Sequence, residues 1–194
     1  MLNFYRKNIK TIIWVIVLSF VVWGVGTLSI SKESSSPYAG SVFGQNVSQK
    51  EYLSTLKFYD LFLRMNRKSD GTGQKNEPFS LEQLRALTWQ TIIISREANR
   101  QNIKVDDREV RANLESLFSE NGFFEQNLYQ NWVKENFHGR ARDFEEVVRN
   151  HLAVQKMREK VLSGVSDPER DERWMEWLRN VIGSAQLKDN TAKD

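Results

Sequence analysis

The sequence offers two histidines as candidates for acid–base or metal chemistry. His138 precedes Gly139 in a predicted turn, where a solvated or capping role is the simplest interpretation. His151 falls on the apolar side of a predicted helix, where a histidine usually has a structural hydrogen-bond partner. The chain contains no Gly-rich phosphate loop, nucleophile elbow or HExxH pattern. The residues therefore predict neither an enzyme nor a metal or cofactor site.

The interaction that the sequence does favour is apolar contact along a predicted helix. Ser48 and Glu51 form a capping-box pattern, so we expect a helix from Gln49 to about Asn66. At helical spacing its apolar residues fall into two stripes on roughly opposite sides. The first stripe holds Tyr52, Leu56, Tyr59 and Leu63, and the second holds Phe58, Leu61, Phe62 and Met65. A helix that is apolar on two sides is either enclosed in a core or offers one side to a partner.

A second predicted helix repeats this two-sided pattern. Ser80 and Gln83 form another capping box, and the helix should run from Leu81 to about Gln101. Trp89 and Ile93 lie on the face opposite the main apolar stripe and extend the candidate contact surface. Aromatic and methionine side chains suit varied partners because they offer large or adaptable contact area. The candidate partner-binding residues are therefore Phe58, Leu61, Phe62, Met65, Trp89 and Ile93.

The rest of the chain predicts a mostly α-helical domain with one short β-hairpin. The hairpin occupies Gly40–Val47, around Gly44 and Gln45. Caps and apolar periodicity then predict four more helices. These begin after Asp106, run over about Glu125–Phe137, run from Asp143 to about Leu162, and begin at Ser166. Trp174, Trp177, Leu178, Val181 and Ile182 line one face of the last helix, which is typical of a core face.

The stretch Thr11–Ile30 predicts a transmembrane helix. It carries no charged side chain and supplies the about 20 residues that a helix needs to cross the hydrocarbon core. The basic residues before it place the N-terminus in the cytoplasm and the remainder outside. A cleavable signal peptide is an alternative, but the apolar run is long for one and no convincing cleavage site follows. A buried helix of a globular core is a further alternative, although uncharged runs of this length are rare there.

The expected organisation has four segments. A cytoplasmic N-terminus and anchor occupy residues 1–31, and a polar, Ser-rich tether occupies residues 32–39. The helical domain occupies residues 40–187, and a polar, disordered tail occupies residues 188–194. This organisation predicts a single-pass protein of the inner membrane with its folded domain in the periplasm.

Composition excludes two classes of protein. Residues 1–30 contain three basic side chains, Arg6, Lys7 and Lys10, and no acidic ones. Removing these three from the 28 basic residues leaves 25, which balances the 25 acidic residues of the chain. The net charge of +3 is therefore a membrane-topology signal, and nucleic acid is not expected as a partner. The chain has no cysteine, which excludes disulfide scaffolds and thiolate metal sites.

Three stretches resemble the SurA/PpiD family of periplasmic folding factors, in their N-terminal chaperone domain. REANRQNIKVDDREV is similar to the family's "EA…GI.VSD.EV" stretch, and NGFFEQNLY is similar to its "dG.Fd…Y" turn. FEEVVRNHL is similar to its "fe..lR..l" helix. The resemblance covers about residues 39–167 and concerns mostly structural residues.

The resemblance implies a chaperone module that lacks isomerase activity. In many family members a parvulin prolyl-isomerase domain follows the fifth helix, whereas GVSDPERDERWMEWLRN follows it here. That segment resembles the family's C-terminal helix, which packs back onto the chaperone domain. The implied function is an ATP-independent holdase for unfolded or newly translocated envelope proteins, with the lipid bilayer and translocon or envelope-complex components as further partners. The alternative is a dedicated interaction subunit of an inner-membrane or envelope complex that binds no general clients, and a helix-mediated dimer without client binding is a third hypothesis.

Overall fold

The computed structural model describes residues 37–69, 79–120 and 123–191. The predicted transmembrane stretch Thr11–Ile30 lies outside these ranges. Within them, no helix combines the length and the apolar character that crossing a membrane requires. The described part is mostly helical. It carries a three-stranded antiparallel sheet, built from strands near both ends of the described chain, and a two-stranded sheet from its middle.

The predicted hairpin is present and supplies two of the three strands of the larger sheet. Strand β1 (Tyr38–Val42) pairs with β2 (Gln45–Ser48), and Val42 lies opposite Gln45. The turn is therefore Phe43-Gly44, one residue earlier than the expected Gly44-Gln45. Both turn residues have positive φ, 51° and 74°, which is the backbone of the two-residue turns that match strand twist. Tyr38 and Ala39 belong to β1, so the predicted tether extends two residues too far.

Two long helices follow the hairpin at the positions that the caps predict. Helix α1 (Gln49–Ser69) begins after Ser48, whose hydroxyl accepts a hydrogen bond from the Glu51 backbone at 3.1 Å. Helix α2 (Leu81–Arg100) begins with a complete capping box between Ser80 and Gln83. These caps satisfy backbone N–H groups that the first turn of a helix leaves without partners.

The middle of the chain forms the shorter elements. Helix α3 (Asp107–Phe118) has the predicted capping box, here between Asp106 and Glu109. A two-residue hairpin follows, with β3 (Ser119–Glu120) paired to β4 (Phe123–Phe124). Helix α4 (Gln126–Trp132) continues into a π-helical turn (Val133–Phe137), which His138 ends in the left-handed conformation at φ 52°.

Helix α5 (Ala141–Leu162) starts earlier than the predicted cap at Asp143. Arg140 occupies the N-cap without a side-chain cap, and Asp143 instead lies in the first turn. There the Asp143 carboxylate accepts hydrogen bonds from Arg140 and pairs with Lys50 of α1 at 2.7 Å. The carboxylate therefore joins α1 to α5. Its negative charge also interacts favourably with the positive, N-terminal end of the α5 dipole.

The C-terminal segment corrects the prediction of a disordered tail. A 3-10 turn (Asp167–Glu169) leads into helix α6 (Arg170–Ser184), and Lys188–Asp189 then forms strand β5. Strand β5 pairs antiparallel with β1, so the sheet order is β2-β1-β5. The polar side chains of this segment misled the prediction, because the strand is held by backbone hydrogen bonds and not by apolar burial.

Helix α2 is the central element of the core. Its buried residues reach three packed groups: Leu84 in the bundle with α1, α3 and α5, Trp89 and Ile93 beneath the sheet, and Ile94 with Ala98 against α5 and α6. This arrangement explains why α2 is apolar on two sides. Of the stripe predicted on α6, Leu178 and Val181 are buried, Trp174 and Trp177 are partly buried, and Ile182 is exposed.

Candidate functional site

An apolar concavity of the described residues lies between α1, α3 and α5. Its volume is about 270 Å³, and it is partly open to solvent. Apolar side chains dominate its lining. The lining residues are Phe58, Leu61 and Phe62 of α1, Asn113, Leu117 and Phe118 of α3, Trp132 of α4, and Phe144, Val148, His151 and Gln155 of α5. We call this concavity the apolar pocket.

Helical periodicity in three separate elements builds the apolar pocket. Phe58, Leu61 and Phe62 are spaced three and four residues apart, so they lie on one side of α1. On α5 the lining positions 144, 148, 151 and 155 follow the same spacing. Helix α3 closes the third side with its C-terminal turn. Each helix contributes one narrow stripe, and the pocket exists only where the three stripes face each other.

An aromatic cluster forms the floor of the apolar pocket. The Phe144 ring lies 5.8 Å from the rings of both Phe58 and Trp132 between centroids. The Phe118 ring meets the Trp132 ring edge-on at 4.7 Å. Such tilted and edge-to-face contacts are the favoured geometries for aromatic pairs. The floor is therefore rigidly packed, and Phe58 belongs to the buried core as well as to the pocket.

The rim of the apolar pocket leaves apolar side chains in contact with solvent. Leu117 is 61% exposed and Phe62 is 39% exposed, although the Phe62 ring stacks on the Phe58 ring at 6.0 Å. Leu61 is half-buried. Clustered exposed apolar side chains of this kind mark interaction surfaces more often than isolated ones do.

Polar groups enter the apolar pocket mainly from one side. The His151 ring lies between α1 and its own helix, with Nδ1 3.2 Å from the Tyr59 hydroxyl and Nε2 3.0 Å from the Gln155 amide. Burial lowers the pKa of His151, so its neutral form is favoured. Burial also raises the pKa of Tyr59, which keeps its hydroxyl protonated. The prediction that His151 is a hydrogen-bonded interface histidine is therefore confirmed.

The structure divides the six predicted contact residues into three groups. Phe58, Leu61 and Phe62 line the apolar pocket together. Met65 lies further along α1, and its side chain is outside the described residues.

The third group, Trp89 and Ile93, does not extend this surface. Their exposed fractions are 4% and 1%, because both pack beneath the sheet against β1, β2 and α6. The second apolar face of α2 reflects a helix enclosed on two sides, which is the core alternative that the sequence left open.

Sequence reasoning missed the contributions of α3 and α5 to the apolar pocket. Leu117 is 61% exposed, whereas Val110 and Leu114 of the same helix are buried. The sequence does not identify Phe144 and Val148 as pocket residues, because apolar residues at helical spacing look the same whether they lie in a core or in the floor of a pocket.

A second concavity of about 320 Å³ is polar and lies between α1, α2 and α5. Its carboxylates all have cationic partners: Glu51 pairs with Arg96 at 2.8 Å, Asp143 with Lys50 at 2.7 Å, and Glu146 with Arg149 at 3.7 Å. The Arg140 and Lys50 partners lower the pKa of Asp143. The first two ion pairs join α1 to α2 and to α5, whereas the third lies within α5. Over the described ranges, His, Asp and Glu residues form no group of three that could hold a metal ion.

A family comparison now adds to this geometry. The model of the SurA-like N-terminal domain matches residues 1–158. This chain belongs to that family. A search of curated proteins and a search of solved structures gave no match. The SurA-like match includes β1, β2 and all four helices that line the apolar pocket, while α6 and β5 lie beyond it. The SurA-like N-terminal domain is a non-catalytic chaperone module, and no catalytic domain is indicated beside it.

Proposed function

We propose that this chain is a membrane-anchored periplasmic chaperone that holds unfolded envelope proteins without ATP. The observation that carries the proposal is the apolar pocket, with a packed aromatic floor and the exposed rim residues Leu117 and Phe62. Apolar surface that stays open on a stable helical frame can cover apolar segments of an unfolded chain. The family supports this function, because SurA-like domains in general bind unfolded client proteins.

The size of the apolar pocket suits weak and reversible capture. A cavity of about 270 Å³ accommodates one or two client side chains at a time. Burial of one large apolar side chain contributes only about 1.5–3 kcal/mol. Tight binding would therefore require several contacts at once, so a client can be released without an energy source. A tether would raise the local client concentration near the membrane and offset this weak affinity.

The predicted anchor Thr11–Ile30 supports the periplasmic location, and a reporter tests it directly. We expect alkaline phosphatase fused after Asp194 to be active, because this enzyme matures only outside the cytoplasm. Deleting residues 11–30 from the same fusion is the control and should abolish the activity. The location would be refuted if the phosphatase fusion were inactive and a fluorescent reporter of the cytoplasm, fused at the same position, were fluorescent. The proposal of envelope clients would then fail as well.

The pocket rim gives the first mutational prediction. The double variant Phe62→Ser/Leu117→Ser should weaken binding of an unfolded client about tenfold or more, since both side chains lose contact area that clients would cover. Binding is measured by fluorescence anisotropy with a labelled unfolded polypeptide. Suppression of client aggregation should fall in parallel. Phe58 is unsuitable for this test because it is part of the buried core.

A matched control separates the pocket from general surface hydrophobicity. Leu81 is 63% exposed, close to the value for Leu117, and Met175 is also exposed, yet neither lines the apolar pocket. Leu81→Ser/Met175→Ser should bind clients as well as the wild type. Equal losses in both double variants would remove the pocket as the client site.

Copurification distinguishes the holdase from a dedicated interaction subunit. A range of weakly bound envelope proteins supports the holdase. A single stoichiometric membrane partner, captured equally by wild type and rim variant, would support the dedicated subunit instead.

A further inference from the structure

We propose that His151 makes client binding in the apolar pocket pH-dependent, with protonation of its imidazole expelling the client. This inference rests on the proposed function and adds a regulation to that same site. It follows from the position of one ionisable side chain in a wall that is otherwise uncharged.

The geometry places the His151 ring inside the apolar wall. Its centroid lies 5.7 Å from that of Phe58 and 5.9 Å from that of Phe62, at interplanar angles of 49° in both cases. Phe62 is one of the two exposed rim residues of the proposed client surface. A client side chain in the pocket would therefore lie against the same rings that contact the imidazole.

Among the described residues that line the apolar pocket, His151 is the only one with an ionisable side chain. From α1 the titratable group that faces it is the Tyr59 hydroxyl, and α3 and α4 present Asn113, Leu117, Phe118 and Trp132. Several charged side chains elsewhere on these helices have partners of their own. These pairs are Asp60 with Arg64, Arg111 with Glu115, Tyr129 with Glu145, Arg149 with Asp107, and Lys156 with Glu109. No carboxylate of the described residues contacts the His151 ring, so a proton there would introduce a charge without a counter-charge beside it.

Protonation also changes the hydrogen bonds of the ring. A neutral imidazole has one donor and one acceptor nitrogen, whereas an imidazolium donates from both. Tyr59 and Gln155, which contact the two nitrogens, would both have to accept. The Tyr59 hydroxyl and the Gln155 carbonyl oxygen can do so after reorientation. The neutral wall and the charged wall therefore differ in arrangement as well as in charge.

Client binding and protonation oppose each other by linkage. A client that covers the pocket removes water from His151, and loss of water disfavours the charged form. Burial already lowers the pKa of His151 below its usual value of about 6.5, and a bound client lowers it further. Client affinity is then full above the pKa of the free protein and falls as pH decreases through it. An additional decrease of about one pKa unit on binding corresponds to an about tenfold loss of affinity at low pH.

The test measures affinity across the pH range in which histidine titrates, from about pH 8 to about pH 5. The full chain in mild detergent is titrated with an unfolded polypeptide that lacks His, Asp and Glu and carries a pH-insensitive dye. We expect the wild type to lose about tenfold in affinity toward low pH. His151→Gln should bind with nearly constant affinity, because its side chain is polar but does not titrate. His138→Asn is the matched control and should behave like the wild type, since His138 lies exposed in a turn.

A second measurement does not depend on any variant. The chain has two histidines, so the ring protons of His138 and His151 can be followed separately by NMR during a pH titration. Addition of the polypeptide should lower the pKa of His151.

The two proposals fail in distinguishable ways. Affinity that is high at every pH and an unshifted His151 would overturn the pH dependence while leaving the chaperone function. Absence of binding at any pH would overturn both. A pH dependence that persists in His151→Gln would assign it to another group and refute the role of His151.

Discussion

Replacing Phe144 by Ala is expected to lower the free energy of unfolding by about 3–5 kcal/mol. Phe144 is only 3% exposed and contacts five aromatic rings. Its ring centroid lies 5.3–6.3 Å from those of Phe58, Phe118, Tyr129, Trp132 and Phe137. Truncation loses the transfer free energy of the ring and leaves a cavity that these stiff neighbours cannot collapse into. Urea unfolding of the full chain in mild detergent, followed by far-ultraviolet circular dichroism, measures the change.

Phe123→Ala provides the matched control for this truncation. It removes the same atoms from a side chain that is 76% exposed, so the free energy of unfolding should change by less than about 0.5 kcal/mol. The comparison isolates burial as the cause. Comparable losses in the two variants would mean that Phe144 does not occupy the packed position described above.

Local signals in the sequence predicted the helices and the first hairpin well. The capping boxes at Ser80 and Asp106 are present with both of their hydrogen bonds, and Ser48 caps α1. These predictions succeeded because a cap is decided by residues three apart in the chain. Where the predicted cap was absent, at Asp143, the carboxylate has stronger partners in Arg140 and Lys50. A tertiary ion pair replaced the local interaction.

The candidate site was only half predictable because it joins distant segments. The α1 stripe identified Phe58, Leu61 and Phe62 correctly as neighbours in one surface. The same rule applied to α2 selected Trp89 and Ile93, which pack beneath the sheet. Periodicity shows that a helix has an apolar side, but it does not show which element covers that side. Both α1 and α2 had two such sides, and only the packing of β1, β2 and α6 distinguishes them.

Strand β5 shows a different kind of wrong prediction. Its segment is polar and was predicted to be disordered, but it forms a strand. Lys188 and Asp189 are both charged, yet they form the edge strand that pairs with β1. The Thr191 backbone donates to the Asp189 carboxylate at 2.7 Å, and Arg85 of α2 donates to the Thr191 hydroxyl at 3.1 Å. These contacts hold the segment at the sheet edge. Strand β5 can approach β1 this closely because the facing residue of β1 is Gly40, which has no side chain.

Gly40→Ala should therefore separate β5 from the sheet and lower the free energy of unfolding by about 3 kcal/mol, at the upper end for overpacking. A Cβ atom at Gly40 would lie 2.0 Å from the Lys188 carbonyl oxygen and 2.8 Å from the Trp89 ring. Trp89 cannot retreat easily, because it is buried beneath the sheet and its ring lies 5.0 Å from that of Tyr52. The strand at the edge is the element that can move. Its backbone hydrogen bonds to β1 would then be lost.

Limited trypsin digestion with mass spectrometry measures this separation, since the enzyme cleaves after Lys188 once that residue leaves the sheet. We expect rapid loss of residues 189–194 in Gly40→Ala and protection in the wild type. Gly183→Ala is the matched control: Gly183 lies in α6 with no atom within 4 Å of an added Cβ. Because alanine favours the helix, this variant should be protected and about 0.5–1 kcal/mol more stable. Protection of Gly40→Ala at wild-type stability would show that β5 does not approach β1 as closely as described, and the ordered C-terminal segment would lose its explanation.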